Sequence, residues 1–198
     1  MEILVNQFSG PYQTNCYIID RKIVIDPGEG AARWVAEVAP NPVAIINTHG
    51  HFDHIWDNGE IQRRWRTPLY IHRADAPMLN RSQLGITPPP SRATHFLEEG
   101  SLKIGGIEFT VYHFPGHTPG SVALRVGDYL FTGDFIFKGS IGRVDFPSSD
   151  PVAMADSLEK VLKLPDNLII LPGHGERSRL RDEKLGLRGW IKWLKGNY

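Results

Sequence analysis

Between Thr48 and His54 the chain carries His49, His51, Asp53 and His54, directly after the apolar run Val43-Ala44-Ile45-Ile46. Three imidazoles and a carboxylate crowded at the end of a buried segment are costly unless something binds them. Neutral imidazole is the commonest nitrogen ligand for zinc and iron, so the run predicts a metal site. Extended backbone would put His49 and His51 on one side, with Asp53 continuing that side and His54 turning across it. Val43 to Ile46, apolar without alternation and bounded by prolines and the histidine motif, reads as a strand buried on both faces, which needs a layer on each side.

The remaining segments supply those layers. Glu2 to Phe8, Asn15 to Ile19 and Lys22 to Ile25 read as a meander of strands, closed by the turn Asp26-Pro27-Gly28. Asp26 is suited equally to that turn and to orienting a ligating histidine through its second ring nitrogen. Ala31, Trp34, Val35 and Val38 lie at helical spacing, and Asn58 to Trp65 and Ala74 to Leu79 also read as helical, flanking a strand at Pro68 to Ile71. From Asn80 to Thr94 periodicity vanishes, and Pro88-Pro89-Pro90 predicts an extended loop at the rim of a site.

Strands then resume at Ser101 to Ile104, Ile107 to Phe114, Ser121 to Val126 and Tyr129 to Thr132, joined by Gly105-Gly106 and Gly127-Asp128 turns. His117 sits in a stiff Pro-Gly-His-Thr-Pro-Gly turn, Asp134 follows Gly133, and His174 follows the strand Asn167 to Leu171. Asp150-Pro151 predicts a helix start, with Val152, Ala155, Leu158, Val161 and Leu162 as its buried face. Leu187, Trp190, Ile191 and Leu194 predict a closing amphipathic helix, weakened by Gly186 and Gly189. Two sets of strands, each followed by helices, predict two facing sheets with helices outside, in one domain spanning residues 1–198.

Composition narrows the function. With 22 basic and 22 acidic residues the net charge is zero, so no global field favours nucleic acid. No apolar run is long enough to span a bilayer, and the N-terminus lacks the pattern of a secretory signal. The lone Cys16 cannot form an internal disulfide, which predicts a reducing, cytoplasmic setting.

The ordered set His49, His51, Asp53, His54, His117, Asp134 and His174 resembles the spaced motifs of the metallo-β-lactamase-fold superfamily. The resemblance runs from Ile25-Asp26-Pro27-Gly28 to Gly173-His174-Gly175. It implies a four-layer αββα sandwich of the α/β class with two divalent ions at one edge: zinc first, iron or manganese as the other candidates. His49, His51 and His117 would hold one ion, Asp53, His54 and His174 the other, and Asp134 would bridge them. Asp53 also counts as the catalytic carboxylate. A shared water of lowered pKa would then replace any serine or cysteine nucleophile.

Phe135 to Pro147 resembles the corresponding segment of short glyoxalase II-like proteins, which implies a thioesterase acting on S-acylglutathione substrates such as S-lactoylglutathione. Lys138 and Arg143 are the candidate substrate-binding residues, although pairing with Asp145 is the favoured role for Arg143. Full-length glyoxalase II adds a C-terminal helical domain, whereas this chain ends soon after His174. Asp134, where the main lactam-cleaving subclasses generally differ, disfavours antibiotic hydrolysis. The alternatives are a persulfide dioxygenase using one iron on His49, His117 and Asp134, a lactonase or other ester hydrolase, and a non-catalytic metal-binding role.

Overall fold

The prediction of a doubly covered strand is met by residues 44–46. In the computed structural model, which describes residues 1–198, β1 (Ile3–Phe8), β2 (Thr14–Ile19), β3 (Ile23–Ile25), β4 (Ala44–Ile46), β5 (Leu69–His72) and β6 (His95–Leu97) form one sheet in that order. Its first three strands are antiparallel and the rest parallel. The second sheet is built from β7 (Gly100–Ile104), β8 (Ile107–His113), β9 (Val122–Val126), β10 (Tyr129–Gly133), β13 (Ile169–Pro172) and β14 (Ser178–Arg179), in the order β14-β13-β10-β9-β8-β7. Between β10 and β13 the chain makes a small hairpin of β11 (Ile136–Phe137) and β12 (Ser140–Ile141). Helices α1 (Ala31–Val38), α2 (Phe52–Ile55) and α3 (Asn58–Trp65) accompany the first sheet, and α4 (Pro151–Val161) and α5 (Leu180–Asn197) the second.

Side-chain alternation explains why the strands read as continuous apolar runs. Tyr17, Ile19, Ile23, Ile25, Ala44 and Ile46 face Val122, Leu124 and Phe131 across the gap between the sheets. Their neighbours Cys16, Ile18, Val24 and Ile45 point the other way, onto Ala31, Val35 and Ile61 of the helices. In the second sheet Ala123, Leu130 and Ile170 turn outward onto Leu158, Leu187 and Leu194. Period-two geometry thus divides one apolar set among three cores, giving the αββα sandwich.

Several boundaries move. Val43 is 42% exposed and lies outside β4. Val152 is 59% exposed, because at the second position of α4 it faces solvent while Ala155, Leu158 and Val161 pack inward. Ala74 to Leu79 forms a short 3₁₀ segment at Ala76–Asn80. The helix predicted around Leu187 begins earlier, at Leu180, and runs through Gly186 and Gly189. The Asp150 cap forms as predicted, its Oδ1 accepting from Ala153 N at 2.9 Å. No helix is long and apolar enough to cross a membrane.

Asp57, between α2 and α3, ties the ligand-bearing segment to α1 by accepting a 2.7 Å hydrogen bond from Ala32 N. Burial pushes its carboxyl up to about 6. The folded chain therefore binds this proton more tightly than the unfolded chain, and stability falls as pH rises from about 4 through 6. Asp57→Asn is expected to narrow that loss. Its melting temperature should exceed the wild type's at pH 8 and match it near pH 4; equal offsets at both pH values would refute the coupling.

Candidate metal centre

All seven predicted side chains converge at one edge of the sandwich, where the two sheets deliver their ligands from strand ends. The segment after β4 stays extended only as far as His51, whose φ and ψ are −66° and 144°; at Phe52 it turns into α2. Alternation therefore holds for His49 and His51 but not beyond. Adjacent Asp53 and His54 reach the site because a helical turn carries both of them. His117 comes from the turn between β8 and β9, Asp134 from the end of β10, and His174 from the end of β13.

Two groups of three can each hold an ion, with ligand atoms within 4.8 Å of one another: His49, His51 and His117, and Asp53, His54 and His174. Asp134 stands between them. Its Oδ2 lies 3.5 Å from His117 Nε2, 3.9 Å from His49 Nε2 and 3.3 Å from His174 Nε2, while its Oδ1 lies 3.3 Å from His54 Nε2. A third grouping, Asp26 with His49 and His54, is accounted for by hydrogen bonding, since Asp26 Oδ2 accepts from His54 Nδ1 at 3.1 Å.

The ring nitrogens are already sorted. Nδ1 of His54 donates to Asp26, Nδ1 of His117 to the Arg143 carbonyl at 2.8 Å, and Nδ1 of His174 to the Tyr12 carbonyl at 2.8 Å. Thr48 Oγ1 gives its hydrogen to Asp26 Oδ2 at 2.6 Å, so its oxygen accepts from His49 Nδ1 at 3.1 Å. In its neutral form each of these four rings thus keeps a lone pair on Nε2, aimed inward. His51 is the exception and presents Nδ1, 2.9 Å from His117 Nε2; His54 and His174 bring their Nε2 atoms to 3.2 Å. Two nitrogens on one tetrahedral zinc lie about 3.3 Å apart for bonds of about 2.0–2.1 Å. His49 Nε2 and Asp134 Oδ1 are buried without any hydrogen-bond partner. Converging lone pairs and orphaned buried atoms are what a pair of cations would satisfy, so the residues fit the group that the sequence implied.

The two halves differ electrostatically. Burial drives His49 well below the ordinary imidazole range, with His54 adding to the effect, and burial together with His117 takes His51 down to about 3. In the other half, burial opposes charge, but the carboxylates of Asp53 and Asp134 outweigh it at His54, which is raised. Likewise burial is outweighed by Asp134 and Asp53 at His174, raised to about 9. Asp53 is pushed up by burial yet held down at about 2, chiefly by His54, and Asp134 is kept well below the carboxylate range in the same way. The Asp-rich half thus attracts positive charge, whereas burial favours the neutral form of His49 and His51.

Supporting contacts escaped the sequence reading. Thr14 Oγ1 donates to Asp53 Oδ2 at 2.7 Å, and Ser9 Oγ to the Asp53 carbonyl at 2.7 Å. Asp75 joins the loops carrying His49, His51 and His117 by accepting from Gly50 N, Thr118 Oγ1 and Gly120 N. Asp26 fills both roles suggested for it, adopting a turn φ of 51° while holding His54 and Thr48. Gly173 is required by packing, since a Cβ there would meet Asp134 Oδ1 at 2.3 Å and His54 at 2.7 Å. No motif marks Thr14 or Asp75; only the assembled fold brings them to the site.

A cavity of about 760 Å³ opens over the ligands, lined by Asp53, His51, His117, Asp134 and His174 together with Tyr12, Phe52, Phe137 and Phe146. Arg143 lines it as well, but its guanidinium is bonded twice to Asp145, at 2.8 and 2.7 Å, and lies over the Phe146 ring. Lys138 lies outside the lining and pairs with Glu176 at 2.6 Å. Trp56 borders a different cavity, with Pro89 and Pro90. The other histidines stay outside the two trios: His72 stacks on His113, and His95 on Tyr70. His113 Nε2 lies 2.9 Å from the Pro119 carbonyl and so braces the turn bearing His117.

Comparison with known proteins agrees with this geometry. A probable metallo-hydrolase, YqgX, of Bacillus subtilis is 35% identical over 88% of this chain and 91% of its own. Hydroxyacylglutathione hydrolase GloC of Haemophilus influenzae is 32% identical over 87% and 91%. Among solved structures, BLEG-1 B3 metallo-β-lactamase superposes with a TM-score of 0.84 at 33% identity, covering 92% of this chain and 96% of that one. TTHA1623 in a di-iron-bound form gives 0.82 at 34%, covering 91% and 96%, and ETHE1 from Myxococcus xanthus 0.81 at 26%, covering 100% and 92%. Residues 9–174, the stretch that contains every one of these ligands, match the family described as the metallo-beta-lactamase superfamily, and the chain belongs to that superfamily.

Proposed function

We propose that this metallo-hydrolase is a thioesterase, cleaving S-acylglutathione-type substrates of the S-lactoylglutathione kind in the cytoplasm. The observation that carries the reading is the second trio. A single-ion enzyme has no need of Asp53, His54 and His174 arranged as a complete three-donor group beside the first, sharing Asp134 with it. The likeness to hydroxyacylglutathione hydrolase of Haemophilus influenzae supports the choice of bond.

Two divalent ions held by these residues, zinc in the first instance, would acidify a water toward neutral pH and polarise the thioester carbonyl. His49, His51 and His117 would hold one and Asp53, His54 and His174 the other, with Asp134 contributing to both. Asp53 also lines the cavity, where its carboxylate, fixed by Thr14, can orient the attacking water. The departing thiolate, with a solution pKa of about 8.5, needs little protonation, in keeping with a cavity that offers no obvious general acid beside the ligands. Phe137 and Phe146 stand beside His174 and His117 and give the cavity apolar walls there.

A second reading, persulfide oxidation at one iron, is favoured by the subset His49, His117 and Asp134, which forms a two-histidine, one-carboxylate face. Metal analysis paired with turnover separates the two. About two ions per chain with hydrolysis of S-lactoylglutathione is the expected result; one iron with oxygen uptake on glutathione persulfide would overturn it. A β-lactam belongs in the same panel, given the likeness to BLEG-1 B3 metallo-β-lactamase.

A further inference from the structure

We propose that the cavity selects thioesters with an apolar acyl arm, and that Arg81 binds a carboxylate on the thiol arm. The reaction rests on the thioesterase reading above; the fit of the two arms rests on the walls of the cavity.

One wall comes from the segment that lacked periodicity. Met78, Leu84 and Ile86 line it, opposite Phe137, Ile141 and Phe146 from the β11–β12 region. Its tip is a built structure. Gln83 and Ile86 exchange backbone hydrogen bonds at 2.7 and 2.9 Å around Leu84 and Gly85, whose φ angles are 50° and 82°. Two consecutive left-handed residues make the tight turn that asparagine and glycine favour. Leucine there is conformationally costly and also leaves 70% of its surface exposed, against both local preference and the usual burial of its side chain.

The Gln83 side chain bolts this tip to the metal-ligand loop. Its Oε1 accepts from Phe52 N at 3.0 Å, and its Nε2 donates to the carbonyls of Gly50 at 2.8 Å and Met78 at 3.1 Å. An apolar residue held at the mouth of a site by such bracing is placed to meet an apolar substrate. A lactoyl group is too small and too polar to cover both walls of a cavity of about 760 Å³. An acyl chain of several carbons covers them.

Charge fixes the other arm. The basic residues lining the cavity are Arg81 and Arg143. Arg143 is bonded to Asp145, and Lys138, outside the lining, is bonded to Glu176. Arg81 is exposed and has no carboxylate partner. The cavity's own carboxylates, Asp53 and Asp134, face the metal-ligating histidines. A free guanidinium at the rim binds a carboxylate through paired hydrogen bonds, which assigns it the anionic end of the thiol.

Uncleavable thioethers test the fit apart from the chemistry. Calorimetry on the metal-loaded protein with S-methyl-, S-butyl- and S-hexylglutathione is expected to show tightening of up to about fourfold per methylene, and at least about 30-fold from methyl to hexyl. Leu84→Ser should flatten that series while leaving S-methylglutathione unchanged. Arg81→Ala should weaken S-hexylglutathione about tenfold but leave the neutral S-hexyl-N-acetylcysteamine unaffected, and Arg81→Lys should recover part of the loss. A flat series in the wild type, or equal weakening of the neutral thioether, would overturn the proposal. If the series holds but no thioester is cleaved, the hydrolytic reading falls and this fit stands. Cleavage of S-acetyl- and S-hexanoylglutathione with equal kcat/KM would remove this proposal alone.

Discussion

Replacing Asp134 by alanine is expected to lower bound metal from about two ions per chain to at most one, and thioester turnover by at least about 10³-fold. Asp134 is the one carboxylate in contact with both trios, through oxygens 3.3 Å from His54 and His174, 3.5 Å from His117 and 3.9 Å from His49. Removing it takes away a candidate ligand and also negative charge that would offset two cations held among five imidazoles. Asp134→Asn keeps the shape and loses the charge, so its metal content should fall between the two. Gly133, with a φ of 51°, and Gly173, against which Asp134 packs, set the backbone independently of the side chain, so far-ultraviolet circular dichroism should change little. Elemental analysis and initial rates decide the matter; two ions and undiminished turnover in the alanine variant would exclude a bridging role.

The convergence of these side chains was legible in the sequence because ligand chemistry is expensive to misplace. His49, His51, Asp53 and His54 are crowded in a way no ordinary loop requires, and His117, Asp134 and His174 each follow an apolar strand. The layers were legible for a related reason: runs such as Cys16 to Ile19 serve two cores at once, and only a doubly covered strand stays apolar on both sides. Other features left weaker traces. β6 shows neither pattern, because His95 and Phe96 are exposed and its pairing with β5 is set by the fold. In α5 burial of Leu180, Leu187 and Leu194 outweighs the low helix propensity of Gly186 and Gly189. Val152 has the right spacing for a buried face but stands at the solvent-facing start of α4.

The polar braces were hidden for a different reason. Thr14 acts on Asp53 from 39 positions away, and Asp75 acts on Thr118 from 43. A lone threonine or aspartate has no period and no motif, and its partner is fixed only once the two sheets face each other. Arg81 and Gln83 lie in the stretch where periodicity gives no reading at all, although that stretch forms a wall of the cavity. What a sequence reveals about a site of this kind is its reactive groups; what holds them in register, and what they are shown, comes from contacts between distant turns.

Asp75→Ala is the substitution that measures how much that register matters. The carboxylate is fully buried in the turn after β5. Oδ2 accepts from Gly50 N at 2.8 Å and Thr118 Oγ1 at 2.6 Å, and Oδ1 accepts from Gly120 N at 2.6 Å. Burial raises its pKa, and these three donors offset part of that rise. Alanine would leave two backbone N–H groups without an acceptor, at about 1–3 kcal/mol each, for a total near 3–5 kcal/mol. In a chain of this length that corresponds to a melting temperature lower by about 10 °C. Because Gly50 lies between His49 and His51 while Thr118 adjoins His117, the same change should loosen the first trio and weaken metal binding about 10- to 100-fold. Asp75→Asn, which keeps one acceptor oxygen, should recover part of both losses. Chelator competition well below either melting temperature separates affinity from stability. An alanine variant that melts lower but holds its ions as tightly as the wild type would make Asp75 a brace of the fold alone, and one unchanged in both would show that the loops find their register without it.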